Sequence, residues 1–278
     1  MKYLELSINV FPREPWNEIF VSDLSQIGFE SFQDDADGTL KAYIQEPHFS
    51  DTDLKLLLEK RKKQINFNYH ILLLEEKNWN KEWESQFEPV NVDDCLEIIA
   101  PFHIPQLKDA ITIVIEPKMT FGTGHHQTTH LICAHLLKYP PKNECVLDMG
   151  TGTGVLAILS EILGASAVTA IEIEEWSVEN ALENIRRNAC KRIELIKGSK
   201  EQIPNIKYDL IIANINRNVL SAQLPIYASR TKSGGKLLIS GFFTTDNKYL
   251  IDIARENAFE MVSNNQRDEW SIIQFVKQ

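Results

Sequence analysis

Long apolar runs are missing from this 278-residue chain. No stretch approaches the roughly 18 apolar residues that a membrane-spanning helix needs. The opening, MKYLELSINVFPREPW, alternates polar and apolar residues and soon meets Pro12 and Pro15. It lacks the continuous apolar stretch of a secretion signal, so a soluble cytoplasmic protein with no membrane partner is expected. Cysteine is scarce. Cys95, Cys133, Cys145 and Cys190 form no CxxC pair, and two of them sit inside apolar segments. A reduced compartment with structural thiols is the simplest account. Basic charge is also in deficit, with 29 Lys and Arg against 39 Asp and Glu, a net of −10. That argues against phosphate-driven binding to nucleic acid, which needs a basic footprint. No direct nucleic-acid partner is expected, and the acidity suits a cationic partner instead. Repeats and low-complexity stretches are absent too.

What is present is an ordinary globular composition, 43% hydrophobic and 24% charged, enough for a real core in one large domain or two smaller ones. The first 76 residues carry eight Lys and Arg against fourteen Asp and Glu. Tyr3, Leu4, Leu6, Ile8 and Val10 predict a strand. Trp16, Ile19, Phe20, Leu24 and Ile27 recur at helical spacing up to Gly28. Phe29–Gln33 and Thr39–Gln45 flank a turn at Asp35-Ala36-Asp37-Gly38. Leu54, Leu57 and Leu58 place a second helix behind Ser50 or Asp51 as N-cap, and Phe67–Leu74 a last strand. The order β-α-β-β-α-β matches a ferredoxin-like sandwich over residues 1–76. Residues 77–94 read as a linker helix with Trp79, Trp83 and Phe87 on one stripe.

Residues 95–278 change character. Leu96–Ile99 and Ile111–Ile115 lead into nearly continuous apolar strands at Val146-Leu147, Val168–Ile173, Leu210–Ile215 and Leu237–Ile239. Helix-length segments separate them, as in a parallel sheet covered on both faces. Phe259–Val262 and Trp270–Val276, joined by the polar Ser263–Glu269, predict an antiparallel pair at the sheet edge.

The chemistry concentrates in Val146-Leu147-Asp148-Met149-Gly150-Thr151-Gly152-Thr153-Gly154-Val155, an apolar strand running into a glycine turn and then a helix. Glycine lets a ligand approach the main chain closely. A dinucleotide fingerprint, GxGxxG, would place its third glycine at 155, which is Val155. The pattern is GxGxG instead, and no Walker A lysine follows. The next strand ends at Glu172, 22 positions after Gly150. A carboxylate there can accept from both ribose hydroxyls of an adenosine. Asn214 ends the Tyr208–Ala213 run, where its amide oxygen could meet an incoming amine or a cofactor ammonium. His125, His126, His130 and His135 invite a metal reading, but no carboxylate or cysteine completes a set, and no metal is expected. Thr128 or Thr129 is placed to cap the helix through Leu131–Leu136.

LDMGTGTGVLAI followed by AIEIE resembles the class I methyltransferase motif, LDxGxGxGxLAI followed by xDID. Met119–Thr129, MTFGTGHHQTT, is similar to the FGTGxHxTT block of the ribosomal protein L-eleven methyltransferases, and Ala213-Asn214-Ile215 to their ANI segment. The Trp79 and Trp83 linker and the Ser233–Gly241 segment fit the same family. The resemblance implies a seven-stranded Rossmann-like α/β sheet behind the smaller α+β domain, with S-adenosylmethionine as cofactor. It implies that Thr129, Gly150, Gly152, Glu172 and Asn214 bind that cofactor, with Asn214 a candidate orienter of the acceptor. It implies methyl transfer to amino groups, lysine or N-terminal, of ribosomal protein L-eleven. The acidity of the first domain suits recognition of that basic substrate, and a monomer is expected. The chain departs from the pattern at Glu172, where the family has Asp, at Thr151, where it commonly has Cys, and at Asn216-Arg217-Asn218. The residues alone leave open a methyltransferase for another protein, a small molecule or RNA. A nicotinamide-dependent oxidoreductase is more distant, since Val155 speaks against it.

Overall fold

A computed structural model describes residues 2–35, 37–74, 87–118 and 121–278. The chain divides into two compact units, with the division after residue 86.

The first unit runs β1 (Tyr3–Val10), α1 (Trp16–Gln26), β2 (Ser31–Asp34), β3 (Leu40–Gln45), α2 (Asp51–Lys62) and β4 (Phe67–Leu74). Its sheet has the order β2-β3-β1-β4, with every pairing antiparallel. Alternation decides which face is buried. Leu6, Ile8 and Val10 pack with Leu40, Ala42 and Ile44 against Phe20 and Leu24 of α1 and Leu54 and Leu58 of α2. The Ser50 hydroxyl caps α2 by accepting from the Asp53 N–H at 3.3 Å. Arg61 reaches across to Asp23 with two bonds, 2.5 and 2.8 Å, tying α2 to α1.

The second unit opens earlier than residue 95. Of the expected linker helix, residues 77–86, with Trp79 and Trp83, lie outside the described residues. Its remainder is not helical. Val90–Val92 form β5, because Val90 and Val92 bury while Asn91 faces out. β5 pairs antiparallel with β6 (Leu96–Ile99), which pairs parallel with β7 (Ile111–Val114).

The large sheet follows: α3 (Gln127–Lys138), β8 (Cys145–Met149), α4 (Val155–Ile162), β9 (Ala167–Glu172), α5 (Glu175–Arg187), β10 (Ile193–Lys197), β11 (Tyr208–Asn214), α6 (Arg217–Arg230), β12 (Thr231–Phe243), α7 (Asn247–Glu256), β13 (Phe259–Arg267) and β14 (Trp270–Lys277). The strand order is β10-β9-β8-β11-β12-β14-β13. The first five strands are parallel, and β14 runs antiparallel to both β12 and β13. Val146 of β8 packs into the core formed with α3 and α4, while Leu147 faces that of α6 and α7. Both faces are therefore covered, which is why these strands read as unbroken apolar runs.

Two details depart from the sequence reading. β10 was not anticipated, because at the sheet edge its residues are only half-buried or exposed and its pattern mixes Glu194 and Lys197 with aliphatics. It joins β11 through one 3-10 turn, Lys200–Gln202, rather than a helix. β13 continues to Arg267, so the expected seven-residue loop shrinks to Asp268 and Glu269. An outermost strand is exposed on both faces and tolerates the polar run Ser263–Arg267.

Candidate active site

The sheet reverses its winding between β8 and β11. Loops leaving their carboxyl ends diverge there and open a crevice. The glycine turn after β8 lines it. Gly150, Gly152 and Gly154 all have positive φ, at 76°, 56° and 85°. A methyl group on Gly150 would strike Cγ2 of Ile215, and one on Gly152 the carbonyl oxygen of Phe121. The N–H groups of Gly150 and Thr151 donate to the Ile171 carbonyl at 2.9 and 3.0 Å, fixing the turn to the end of β9.

Beneath the turn lies Asp148, fully buried. Its Oδ2 accepts the Thr151 hydroxyl at 2.5 Å. Its Oδ1 has no hydrogen-bond partner. Burial pushes its carboxyl up to about 7. Thr151 thus has a partner of its own.

Glu172 ends β9 beside the turn, and its two oxygens are shared out among backbone donors. Oε2 accepts from the Gly152 N–H at 2.9 Å, and Oε1 from the Ile173 and Glu174 N–H groups at 2.8 and 3.1 Å. A carboxylate offers about four lone-pair sites, so capacity for a ligand hydroxyl remains. The longer arm of glutamate therefore still lands on the glycine turn.

Across the crevice, Asn214 ends β11. Its Nδ2 donates to the Thr129 hydroxyl at 3.5 Å. Its Oδ1 is buried and has no partner. A buried acceptor of this kind is costly unless a ligand supplies the donor. It therefore fits a ligand bearing an ammonium or amine. Gly150, Gly152, Glu172 and Asn214 all line one cavity of about 750 Å³, together with Phe121, Trp176, Lys200 and, from the β11–α6 segment, Ile215, Asn216 and Asn218. Thr129 is adjacent through its contact with Asn214.

The FGTGHHQTT segment lies over the turn. Phe121 and Gly122 accept, through their carbonyls, from the Thr153 N–H at 3.0 Å and the Thr153 hydroxyl at 2.6 Å. The helix cap differs from expectation. His126 is the N-cap of α3, its Nδ1 accepting from the Thr128 N–H at 3.3 Å and the Thr128 hydroxyl at 2.8 Å. Thr128 and Thr129 sit in the first turn with their side chains buried. Burial lowers the His126 pKa, which favours the neutral ring that this capping bond requires. Among the described residues no group of three His, Cys, Asp or Glu could hold a metal ion.

Sequence reasoning missed two groups. Phe121, His126, Trp270 and Phe243 form a string of touching rings, with successive centroids 5.0, 4.5 and 4.4 Å apart. Phe243 and Trp270 are register partners across β12 and β14, a pairing visible only once the hairpin is placed. The second group is a ladder of asparagines on α5. Asn184 accepts from the Glu116 N–H at 2.8 Å and donates to the Thr153 carbonyl at 2.9 Å. Asn188 makes the same pair of bonds with the Val114 N–H and carbonyl, at 2.9 and 2.7 Å. The spacing of Asn180, Asn184 and Asn188 was readable as one face of a helix; that the face is buried was not.

The strand order, the GxGxG turn at the point of reversal and the strand-ending carboxylate that holds it together define a class I S-adenosylmethionine-dependent methyltransferase. Residues 19–278 match the family model of the ribosomal protein L11 methyltransferases (PrmA). Relatives named ribosomal protein L11 methyltransferase include that of Phocaeicola vulgatus, 38% identical over 280 residues and covering 99% of both chains. That of Porphyromonas gingivalis is 36% identical over 284 residues, covering 99% of this chain and 98% of the relative. The crystal structure of the ribosomal protein L11 methylase from Lactobacillus delbrueckii subsp. bulgaricus superposes with a TM-score of 0.64 at 30% identity, over 69% of this chain and all of that one. This chain belongs to the ribosomal protein L11 methyltransferase family.

Proposed function

We propose that this protein transfers methyl groups from S-adenosylmethionine to amino groups of ribosomal protein L11, on lysine side chains, the N-terminal amine or both. The observation that carries the reading is the unpartnered, buried Oδ1 of Asn214 at the end of β11. When bound, the cofactor supplies a sulfonium-activated methyl group. The protein's residues have to hold, align and keep dry. Glu172 takes a ribose hydroxyl with its remaining acceptor site, and the bare backbone at Gly150 and Gly152 lets the ligand approach closely. Thr129 and Asn214 serve the polar end.

Asn214 accepts an N–H of the incoming amine, or of the cofactor's own ammonium, and so orients it. A nucleophile held about 3 Å from its target gains most of what an alkyl transfer needs from alignment alone. The amine must be neutral to attack. Met149, Ile215 and Phe121 line the cavity, and such apolar walls disfavour the ammonium form. No dedicated base is required. Residues 1–76, with their excess of acid, form the recognition module for the basic substrate, and the protein acts in the cytoplasm as a monomer.

The test is incubation of the purified protein and labelled cofactor with ribosomal protein L11, with other ribosomal proteins and with ribosomal RNA. Intact-mass measurement of L11 from cells with and without the protein complements it. Steps of 14 Da on L11 alone are expected. An unmodified L11 in both experiments, or label on RNA, overturns the proposal. For Asn214→Ala, a loss of roughly a hundredfold or more in kcat/KM is expected, the scale seen when one preorganised polar contact is removed.

A further inference from the structure

His125 occupies a variable position of the FGTGxHxTT pattern, between Gly124 and His126, yet both of its ring nitrogens are engaged. Nε2 lies 2.9 Å from the Glu88 carbonyl, and a carbonyl can only accept, so Nε2 carries the hydrogen. Nδ1 lies within hydrogen-bond distance of the Thr123 hydroxyl, at 3.1 Å. The ring of Phe87 meets that of His125 edge-on, with centroids 4.7 Å apart. Phe87 is itself held, since His103 Nε2 donates to its carbonyl at 2.7 Å while His103 Nδ1 accepts from the Ala100 N–H at 3.1 Å. At its other end the same loop gives two carbonyls to Thr153 of the glycine turn. Gly124 packs so closely against β5 and β6 that a Cβ would lie 2.8 Å from Ile98 Cδ1. A stretch with glycines at φ 104° and 95° is thus fastened at both ends, one fastening on the cofactor turn and the other on residues 87–88.

We propose that His125 is a positioning residue for the cofactor. Through its Nε2–H, it pins residues 121–124 over the glycine turn, keeps Phe121 at the cavity wall and so slows cofactor release. Glycine-rich loops lose much entropy when ordered. Pre-ordering the loop before the ligand arrives lowers the cost of binding. His125 does not line the cavity; it acts through Phe121, Gly122 and Thr153. The inference rests on the cofactor assignment and is independent of the acceptor.

Stopped-flow binding and release of S-adenosylhomocysteine by the full chain test it, alongside the melting temperature of the ligand-free protein. Binding by the wild-type chain is the first reading; its absence overturns the cofactor assignment itself. For His125→Ala, release roughly tenfold faster is expected, with the association rate held within about twofold and ligand-free melting unchanged. His125→Gln retains an N–H that can reach the Glu88 carbonyl and is expected to restore slow release. Wild-type release in His125→Ala overturns the proposal. So does fast release that glutamine fails to rescue, or fast release matched by a lower ligand-free melting temperature, which marks a merely structural role.

Discussion

Gly152 shows how little freedom a single position has when a turn must serve both the fold and a ligand. Its φ of 56° is in the left-handed region, and a Cβ would meet the Phe121 carbonyl, a backbone atom that cannot rotate away. Left-handed backbone costs a non-glycine residue about 1–2 kcal/mol before any clash. Gly152→Ala should therefore weaken cofactor binding at least tenfold by calorimetry; unchanged affinity would show that the loop above it is dispensable. Glu172 poses a different problem, since three backbone donors share its two oxygens. Glutamine has only one acceptor oxygen and no charge. Hydrogen bonds to charged groups contribute about 1.5–3 kcal/mol, so Glu172→Gln should raise the cofactor dissociation constant roughly tenfold to a hundredfold. Asp148 makes a pH prediction. Burial raises its carboxyl to about 7. Between the ordinary carboxylate range and about 7, the folded chain holds a proton that the unfolded chain has released. Stability from this group is full below that window and is lost as pH rises through it. Asparagine can still accept the Thr151 hydroxyl and carries no charge. Asp148→Asn should leave the melting temperature little changed at pH 4 and raise it at pH 8. An equal shift at both pH values would refute the assignment.

Elements show where reading from sequence worked. β1, α1, α2 and the strands of the parallel core follow from alternation, helical spacing or unbroken apolar runs, because burial imposes those periods directly. β10 and the far half of β13 were not legible. At the rim a strand is held by its ladder rather than by apolar side chains, so its composition carries little signal. The asparagine ladder on α5 belongs to the same category. Side-chain amides supply the hydrogen bonds that a neighbouring strand would give to residues 114–116. Removing the Asn184 amide leaves the half-buried Glu116 N–H and the buried Thr153 carbonyl unpaired, at about 1–3 kcal/mol each. Asn184→Ala should lower the melting temperature by roughly 4–24 °C, taking 2–4 °C per kcal/mol for a unit of this size. A loss below 2 °C would mean that water replaces the amide.

Over the whole molecule, recognition of a basic protein by an acidic unit is a matter of long-range charge, which salt screens. Raising salt should increase KM for L11 while leaving the cofactor dissociation constant nearly constant. A chain reduced to residues 87–278, the compact second unit, should bind cofactor as the full chain does and fail to methylate L11. Normal methylation by that fragment would remove the recognition role from the first unit.

The sequence by itself determined the parallel core, the glycine turn and the acid that follows it. Each is a local pattern whose spacing is set by one strand, one turn and one helix. The tertiary structure alone decided that His126 rather than a threonine caps α3, that Asn214 is left with an unpartnered oxygen at the cavity, and that four rings from three separate segments touch. Those facts depend on which distant residues arrive at the same point. No periodicity along the chain encodes that meeting, because it is fixed by strand order and register across the sheet.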